Sequence, residues 1–402
     1  MLTLRGPRTA RRGGQLLDLG LIEDGSVLIE GGLVRHVGPT RRVENLAEAR
    51  HARVICAEGR VVMPGFVDSH THLVSGHHRP AEFTGALVSP AAALRRDARE
   101  VLAVLKSVRA ATGRRLESDA RAVLQGCRAH GTTSIEAKSG CGLDPANEFK
   151  ILKVLGSLQT ACIDMVPSFF GGHVVPPEFE DRPQEYVRLV CDSMLPEVAG
   201  KQLAQFADVC CDVGGLDEQQ TRQILRAARA HGMRVKVHAS QYGPSDGAKL
   251  AVEYGAVSVD HMDHGTSADW LALAQSDTIA TLLPASGLRS SGPSAPARKM
   301  IDAGVAVALG TNYSTWDTPG YSMQTAIALA CQQLRMAPAE AVAAATVNGA
   351  HALGIQATAG SLEPGKRANV LILKTPDYRD IAYTLGVNLV EKTIWRGQIV
   401  HE

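Results

Sequence analysis

The chain has 402 residues, and its 42 Lys and Arg against 41 Asp and Glu give a formal net charge of +1 at pH 7. This balance gives no indication of a nucleic acid or another polyanionic partner. The length is sufficient for a large α/β domain with a smaller unit attached. We expect no membrane association, because no stretch reaches the roughly 18 apolar residues of a transmembrane helix and the N-terminus lacks the apolar segment of a signal peptide.

The eight cysteines bear on the compartment. No two of them form a Cys-x-x-Cys pair, and in a chain of this length they are typical of buried thiols in a reducing environment. We therefore expect a cytoplasmic protein.

The two ends of the chain consist of short predicted strands. Residues 25–38 alternate around Gly31-Gly32, which predicts a β-hairpin. Near the C-terminus, residues 368–373 and 392–400 show the same pattern of apolar strands bracketed by Gly and Pro. Neither end has enough strands to cover its own face, so we predict that the two ends pair into one small β-sandwich.

Amphipathic helices and short apolar strands alternate between these ends. The apolar periodicity predicts helices over residues 97–111, 117–130 and 217–231. The second and third helices are each followed by Gly, a common stop after the final helical turn. Apolar strands come next, at residues 132–137 and 235–238.

Repetition of this unit indicates the fold class. Two more Gly-strand units occur at residues 255–261 and 304–312, and the repeats favour an α/β fold with a (β/α)8 barrel. A doubly wound open sheet is the alternative, but no Gly-x-Gly-x-x-Gly fingerprint follows an early strand. The predicted domains are a barrel over 59–355 and a β-sandwich built from 1–58 and 356–402.

An apolar run over residues 62–67 leads, through Asp68 and Ser69, into two histidines one residue apart, His70 and His72. On an extended backbone, residues i and i+2 point to the same side, so both imidazoles can face one metal ion from a single strand end. The plain alternative is a surface strand end with two unrelated histidines. Further histidines at similar positions downstream favour the metal-binding interpretation.

Other polar residues of interest also follow apolar strands. Lys138, His173, His238, His261 and Asn312 each stand near the end of a predicted strand, where a barrel places its active site. One histidine in such a place is more often structural than functional. Several such strand ends in one chain favour a shared site.

Eight segments carry further recognisable motifs: 64–74, 78–83, 136–144, 172–178, 236–239, 260–261, 282–284 and 336–341. Together they resemble the imidazolonepropionase family of the amidohydrolase superfamily, over nearly the whole chain. The His-x-His pair alone marks only the superfamily. The Lys-Ser-Gly and Gly-His-x-Val-Pro-Pro segments are much more specific.

The resemblance implies a divalent metal, zinc or iron. In that family the metal is held by the His-x-His pair, a strand-end histidine and an aspartate on the last barrel strand. These positions match His70, His72, His238 and, at the last, Asn312. Such a metal polarises an amide carbonyl and lowers the pKa of its bound water to about 7.

The resemblance also implies contacts to the substrate. His261 matches a residue that stabilises an oxyanion or moves a proton, and His173 matches one that contacts the substrate ring. Arg79 matches a residue whose planar fork grips the substrate's propionate, although a solvated surface arginine is the alternative. Gln241 and Cys141 occupy two further substrate-contacting positions. The implied partner is a small carboxylate-bearing heterocycle, and the family is usually a homodimer.

Several features depart from the family pattern. Asn312 replaces the last-strand aspartate, and an amide carries no charge and accepts no proton. Gln241 stands where the family has a glutamate that orients or deprotonates water, and Cys141 replaces a tyrosine. The loop at 85–93 lacks the usual Gly-Gly. Asp317, five residues beyond Asn312, is an alternative source of the missing carboxylate.

Three functions are compatible with these residues. The first is a metal-dependent hydrolase that opens a C–N bond in a small cyclic amide bearing a carboxylate, with imidazolonepropionate as the model. The second is a cyclase, lyase or isomerase on a related heterocycle; Asn312 and Gln241 favour it, because it needs no hydroxide nucleophile. The third is a silent binding protein, which gives no reason to retain His173 and His261. Because fold and ancestry do not fix function, the site must decide.

Overall fold

The structure, a computed structural model, describes residues 1–77, 97–288 and 293–402. The strands of these residues are β1 (Gly25–Glu30), β2 (Leu33–Pro39), β3 (Val62–Pro64), β4 (Phe66–Asp68), β5 (Thr132–Lys138), β6 (Asp164–Gly172), β7 (Phe206–Cys211), β8 (Arg234–Ala239), β9 (Ser258–His261), β10 (Ile279–Leu282), β11 (Val307–Leu309), β12 (Val370–Leu373), β13 (Val390–Trp395) and β14 (Gln398–His401). The α-helices are α1 (Thr40–Val43), α2 (Leu102–Ala110), α3 (Gly113–Ala129), α4 (Pro145–Ser157), α5 (Pro183–Leu189), α6 (Leu195–Gly200), α7 (Glu218–Ala230), α8 (Gly247–Glu253), α9 (Ser267–Ala274), α10 (Ala297–Asp302), α11 (Met323–Gln332), α12 (Pro338–Ala344), α13 (Val347–Ala352) and α14 (Asp380–Tyr383).

Strands β4 to β11 form one parallel sheet in which neighbours follow chain order. Backbone hydrogen bonds join its two edges, because His72 N donates to the carbonyl oxygen of Tyr313 at 2.7 Å and Asn312 N donates to that of His70 at 3.1 Å. The sheet therefore closes, and the predicted (β/α)8 barrel is confirmed over the open doubly wound alternative.

Capping residues explain where the predicted helices begin. Helix α3 begins at Gly113, four residues before the predicted start, because the Thr112 side chain accepts a hydrogen bond from Arg115 N. Helix α7 begins directly after Asp217, whose side chain caps it together with Gln220. The helices end as the Gly positions predicted.

The barrel strands are buried on both faces, as parallel strands covered by helices should be. Every residue of β5, β6 and β7 is buried. Most of their apolar side chains belong to one large hydrophobic core that also includes residues of the surrounding helices, while Val166 and Phe206 belong to a second cluster. This rigid interior fixes the directions in which the strand-end side chains point.

The two chain ends meet on one side of the barrel, as predicted. The antiparallel sheet has the order β14-β13-β12-β3, and the hairpin β1-β2 lies against it. Val34 N donates to the carbonyl oxygen of Lys366 at 2.8 Å. Val27, Val62, Val370 and Ile394 share a hydrophobic cluster between the two layers. The domain limits after residues 58 and 355 remain predictions.

Two features bear on the setting of the protein. All eight cysteines are free thiols. Within the three described ranges, no helix combines the length and the apolar character that crossing a bilayer requires.

Candidate metal centre and active site

The strand ends bring the predicted histidines together at one end of the barrel. The His70 and His72 rings lie 5.2 Å apart, centroid to centroid, and His70 lies 5.6 Å from His238 and 5.4 Å from His261. The His238 and His261 rings are 4.1 Å apart. His173 stacks on His72 at 5.7 Å. All five side chains are buried.

Several imidazole nitrogens of this cluster have no hydrogen-bond partner among the described residues. They are His70 Nε2, His72 Nδ1, His238 Nδ1 and both nitrogens of His261. Buried polar atoms are nearly always bonded, so an orphaned group indicates a missing ligand or ion. Ligand atoms of His70, His238 and His261 lie within 4.8 Å of one another. This arrangement of nitrogen donors fits a divalent cation.

Burial keeps four imidazoles of the cluster neutral, those of His70, His72, His173 and His238. It lowers the pKa of His70, His72 and His238 well below the usual value, and neighbouring positive groups lower it further. Burial likewise lowers the pKa of His173 to about 4. Neutral imidazole is the form that coordinates a metal, so the site is prepared for one at neutral pH.

A buried carboxylate fixes the orientation of His70. Asp260 Oδ2 accepts a hydrogen bond from His70 Nδ1 at 2.7 Å, which leaves Nε2 as the free acceptor. Lys138 Nζ donates to the same Asp260 oxygen at 3.0 Å and to Asp208. Burial opposes its charge, yet the surrounding carboxylates raise the pKa of Lys138 well above the usual value. A carboxylate–histidine pair of this kind is the usual support of a metal ligand.

The ion network continues beneath the histidines. Lys236 Nζ donates to Glu136 Oε2 at 2.6 Å, and that oxygen lies 3.1 Å from Lys138 Nζ. The side chains of this network have no exposure to solvent. Removing one member would leave an uncompensated buried charge, so the network is held as a unit.

Gln241 supports His238 in the same manner. Its Oε1 accepts a hydrogen bond from His238 Nε2 at 3.0 Å, which leaves His238 Nδ1 as the acceptor. Its Nε2 donates to Ser286 Oγ at 2.9 Å, and Asp212 accepts the Gln241 backbone N–H. An amide oxygen suffices for this orienting contact, although it cannot take a proton.

Asn312 lies where the last strand ends, beside His70. Its backbone has a φ of +58°, which Asn tolerates better than most residues. Asn312 Nδ2 donates to Asp317 Oδ2 at 2.9 Å. This bond places the Asp317 carboxylate beside the Asn312 amide, and a ligand role for Asp317 remains a prediction.

The remaining predicted residues differ in how far they can be placed. His173 Nδ1 donates to the carbonyl oxygen of Gly140 at 3.0 Å, and its ring stacks on Phe170. Cys141 is fully buried, and burial raises the pKa of its thiol well above the usual value. Arg79 lies outside the described residues.

Two supporting carboxylates were not predicted. Asp260 was part of a sequence motif, because it directly precedes His261, but no role was predicted for it. Glu148 accepts backbone N–H groups of Gly140, Gly142 and Leu143 and so shapes the loop that holds His173. No sequence signal distinguishes Glu148, because its partners are backbone groups.

Comparison with known proteins identifies the family of this chain. A model of the amidohydrolase family matches residues 61–400. An imidazolonepropionase of Geobacillus kaustophilus (strain HTA426) is 41% identical over 393 residues, covering 96% of this chain and 92% of that protein. One of Parabacteroides distasonis is 39% identical over 401 residues, covering 99% and 96%. The chain belongs to the imidazolonepropionase family of amidohydrolases.

Membership of this family decides the class of reaction. The chain is a metal-dependent hydrolase that acts on carbon–nitrogen bonds of cyclic amides, and the non-hydrolytic alternative is not favoured. Solved structures agree on the fold. A guanine deaminase of E. coli has a TM-score of 0.71 at 17% identity, covering 100% of this chain and 98% of its own. A 5-methylcytosine deaminase of Klebsiella pneumoniae has a TM-score of 0.72 at 16% identity, covering 94% and 95%.

Proposed function

We propose that the protein hydrolyses imidazolonepropionate or a close relative, a five-membered cyclic amide with a propionate side chain. Water adds to the ring carbonyl carbon, the ring C–N bond breaks, and the departing nitrogen receives a proton. A carboxylate and an N–H replace the amide bond. The observation that carries the proposal is the cluster of buried histidines at the end of the barrel, in which ligand atoms of His70, His238 and His261 lie within 4.8 Å of one another.

The metal in this proposal is zinc or iron, with His70, His72 and His238 as ligands and Asn312 at the fourth position of the family pattern. When bound, the metal acts as a Lewis acid and lowers the pKa of water. Asp260 and Gln241 hold two of the ligand histidines in the tautomer that leaves an acceptor nitrogen free.

Several side chains are proposed to bind the substrate. The guanidinium of Arg79 binds the propionate carboxylate through two parallel hydrogen bonds. His173 donates Nδ1–H to Gly140, so its Nε2 is an acceptor for a ring N–H of the substrate. Gln241 donates from its amide nitrogen, while Cys141 lines the loop where the family has a tyrosine. His261 is the group that the family pattern places near the reacting carbonyl.

We propose that the protein is a cytoplasmic homodimer and that its substrate is a small molecule. The eight free thiols support a reducing compartment. The near-zero net charge supports a small substrate over a polyanionic macromolecule.

The test is an assay of imidazolonepropionate hydrolysis by the zinc-loaded protein, in which the loss of the ring's ultraviolet absorbance is monitored. Arg79→Ala should lower kcat/KM by about 30-fold or more, mainly through KM, because it removes charge-assisted hydrogen bonds to the carboxylate. The matched control is Arg114→Ala, at an exposed arginine on α3. A wild-type protein that leaves imidazolonepropionate intact would contradict the proposal, as would equal effects of the two substitutions on KM.

A further inference from the structure

The end of strand β9 directs two consecutive side chains into the site. Side chains normally alternate between the faces of a strand. Asp260 is fully buried and bonded to His70 inside the barrel, yet the next ring, His261, lies 4.1 Å from His238 and is also fully buried. A φ of +81° at His261 breaks the alternation. Such a backbone conformation is costly for a residue with a Cβ, and it places the imidazole among the metal-binding histidines.

His261 has the free donor atoms of a metal ligand. Neither of its nitrogens has a hydrogen-bond partner among the described residues. Its charged neighbours include Asp212 and Asp263, and the carboxylate oxygen of Asp263 lies 3.6 Å from His261 Nδ1, beyond hydrogen-bond distance. Ligand atoms of His70, His238 and His261 lie within 4.8 Å of one another.

Asn312 is a weaker candidate for the same position. Its amide nitrogen is bound to Asp317, and its oxygen is uncharged. Zinc and iron prefer imidazole nitrogen to a neutral amide oxygen, which is a ligand more typical of calcium or magnesium. Loss of the last-strand carboxylate therefore leaves a vacancy in the ligand set that His261 can fill.

We infer that His261 is a ligand of the metal in this chain and completes, with His70, His72 and His238, an all-histidine site from which Asn312 is absent. Histidine nitrogen is an established zinc ligand, and the four histidines replace the three histidines and one carboxylate of the family pattern. The inference rests on the proposed function only in assuming the same metal, and it replaces the oxyanion role that the family pattern gives to His261.

The test compares zinc affinities of metal-free full-length proteins, measured by competition with a chromophoric chelator. His261→Asn is the main variant, because Asn tolerates the positive φ of this position. It should weaken zinc binding by about 100-fold or more, since one ligand is lost. Asn312→Ala should change the affinity by less than about 3-fold. The matched control is His264→Ala, a partly exposed histidine outside the cluster, which should bind zinc as the wild type does.

The outcomes separate this inference from the proposed function. Retained affinity in His261→Asn, or a large loss in Asn312→Ala, overturns the inference and leaves imidazolonepropionate hydrolysis untouched. Wild-type protein that binds no zinc also overturns it. Tight zinc binding that depends on His261, in a protein inactive on imidazolonepropionate, upholds the inference and contradicts the proposed function. Far-UV circular dichroism and thermal unfolding of each metal-free variant show whether it is folded, and a misfolded His261→Asn is replaced by His261→Gln, for which the same results apply.

Discussion

At the scale of single residues, two amides, Gln241 and Asn312, stand where the family resemblance implies carboxylates. Gln241 keeps the orienting contact to His238 without a charge. Asn312 lies at the end of the last barrel strand, and its amide nitrogen donates a hydrogen bond to Asp317. A metal in this site therefore keeps more of its positive charge, and its affinity is lower than a carboxylate ligand would give.

Restoring the carboxylate tests this view. Asn312→Asp should raise zinc affinity by about tenfold or more, because an anionic ligand then faces the cation. It should also raise the rate of imidazolonepropionate hydrolysis, since a proton acceptor returns to the site. Chelator competition and a steady-state assay measure the two effects. If neither quantity increases, the site is not a weakened form of the family's metal centre.

A charge-swapped pair is the control for this substitution. In Asn312→Asp alone, two carboxylates lie in contact, because Asp317 Oδ2 is 2.9 Å from the replaced amide nitrogen. Like charges at this distance should destabilise the metal-free protein. The double variant Asn312→Asp with Asp317→Asn keeps the hydrogen bond and the total charge, and should regain that stability while retaining the higher affinity.

At the scale of elements, sequence patterns predicted what local rules determine. The Gly-Gly hairpin, the capped helices and the apolar strands follow from turn, cap and periodicity rules, and the structure has them where predicted to within a few residues. The starts of helices were less accurate. Thr112 is an ordinary cap, but the apolar period of α3 becomes visible only from residue 116 onward.

Long-range contacts account for what the sequence could not predict. The bond from His70 to Asp260 joins β4 to β9 across the barrel, and Glu148 gathers three backbone amides of a loop. The φ of +81° at His261 depends on the packing around the strand end. None of these features leaves a local signal, whereas the strand-end positions of His70, His72, His238 and His261 do.

At the scale of the whole molecule, burial of neutral histidines links stability to pH. His173 has a pKa of about 4 when folded, lowered by burial from an ordinary value of about 6.5. Its neutral form is favoured in the folded state, so the unfolded chain binds the proton first as the pH falls. This contribution to stability is complete above pH 6.5 and is lost as the pH falls towards 4.

Urea unfolding of the metal-free protein measures this loss. Between pH 7.5 and pH 5, His173 should account for about 2 kcal/mol of the decrease in the free energy of unfolding. His173→Phe keeps an aromatic ring against Phe170. Over the same pH interval, its free energy of unfolding should fall by about 2 kcal/mol less than that of the wild type. The control is His36→Phe, at an exposed histidine, whose free energy of unfolding should fall by as much as that of the wild type. Equal decreases in the wild type and His173→Phe would show that His173 is not held neutral by burial.

The central claim is that a divalent metal belongs to this site although the last barrel strand supplies an asparagine, Asn312, and no carboxylate. Elemental analysis of the protein, purified without added metal and without chelator, tests it most directly. We expect about one equivalent of zinc or iron, because burial keeps His70 and His238 neutral and leaves each with a nitrogen that has no hydrogen-bond partner. A protein that contains neither metal and still opens imidazolonepropionate would contradict the account.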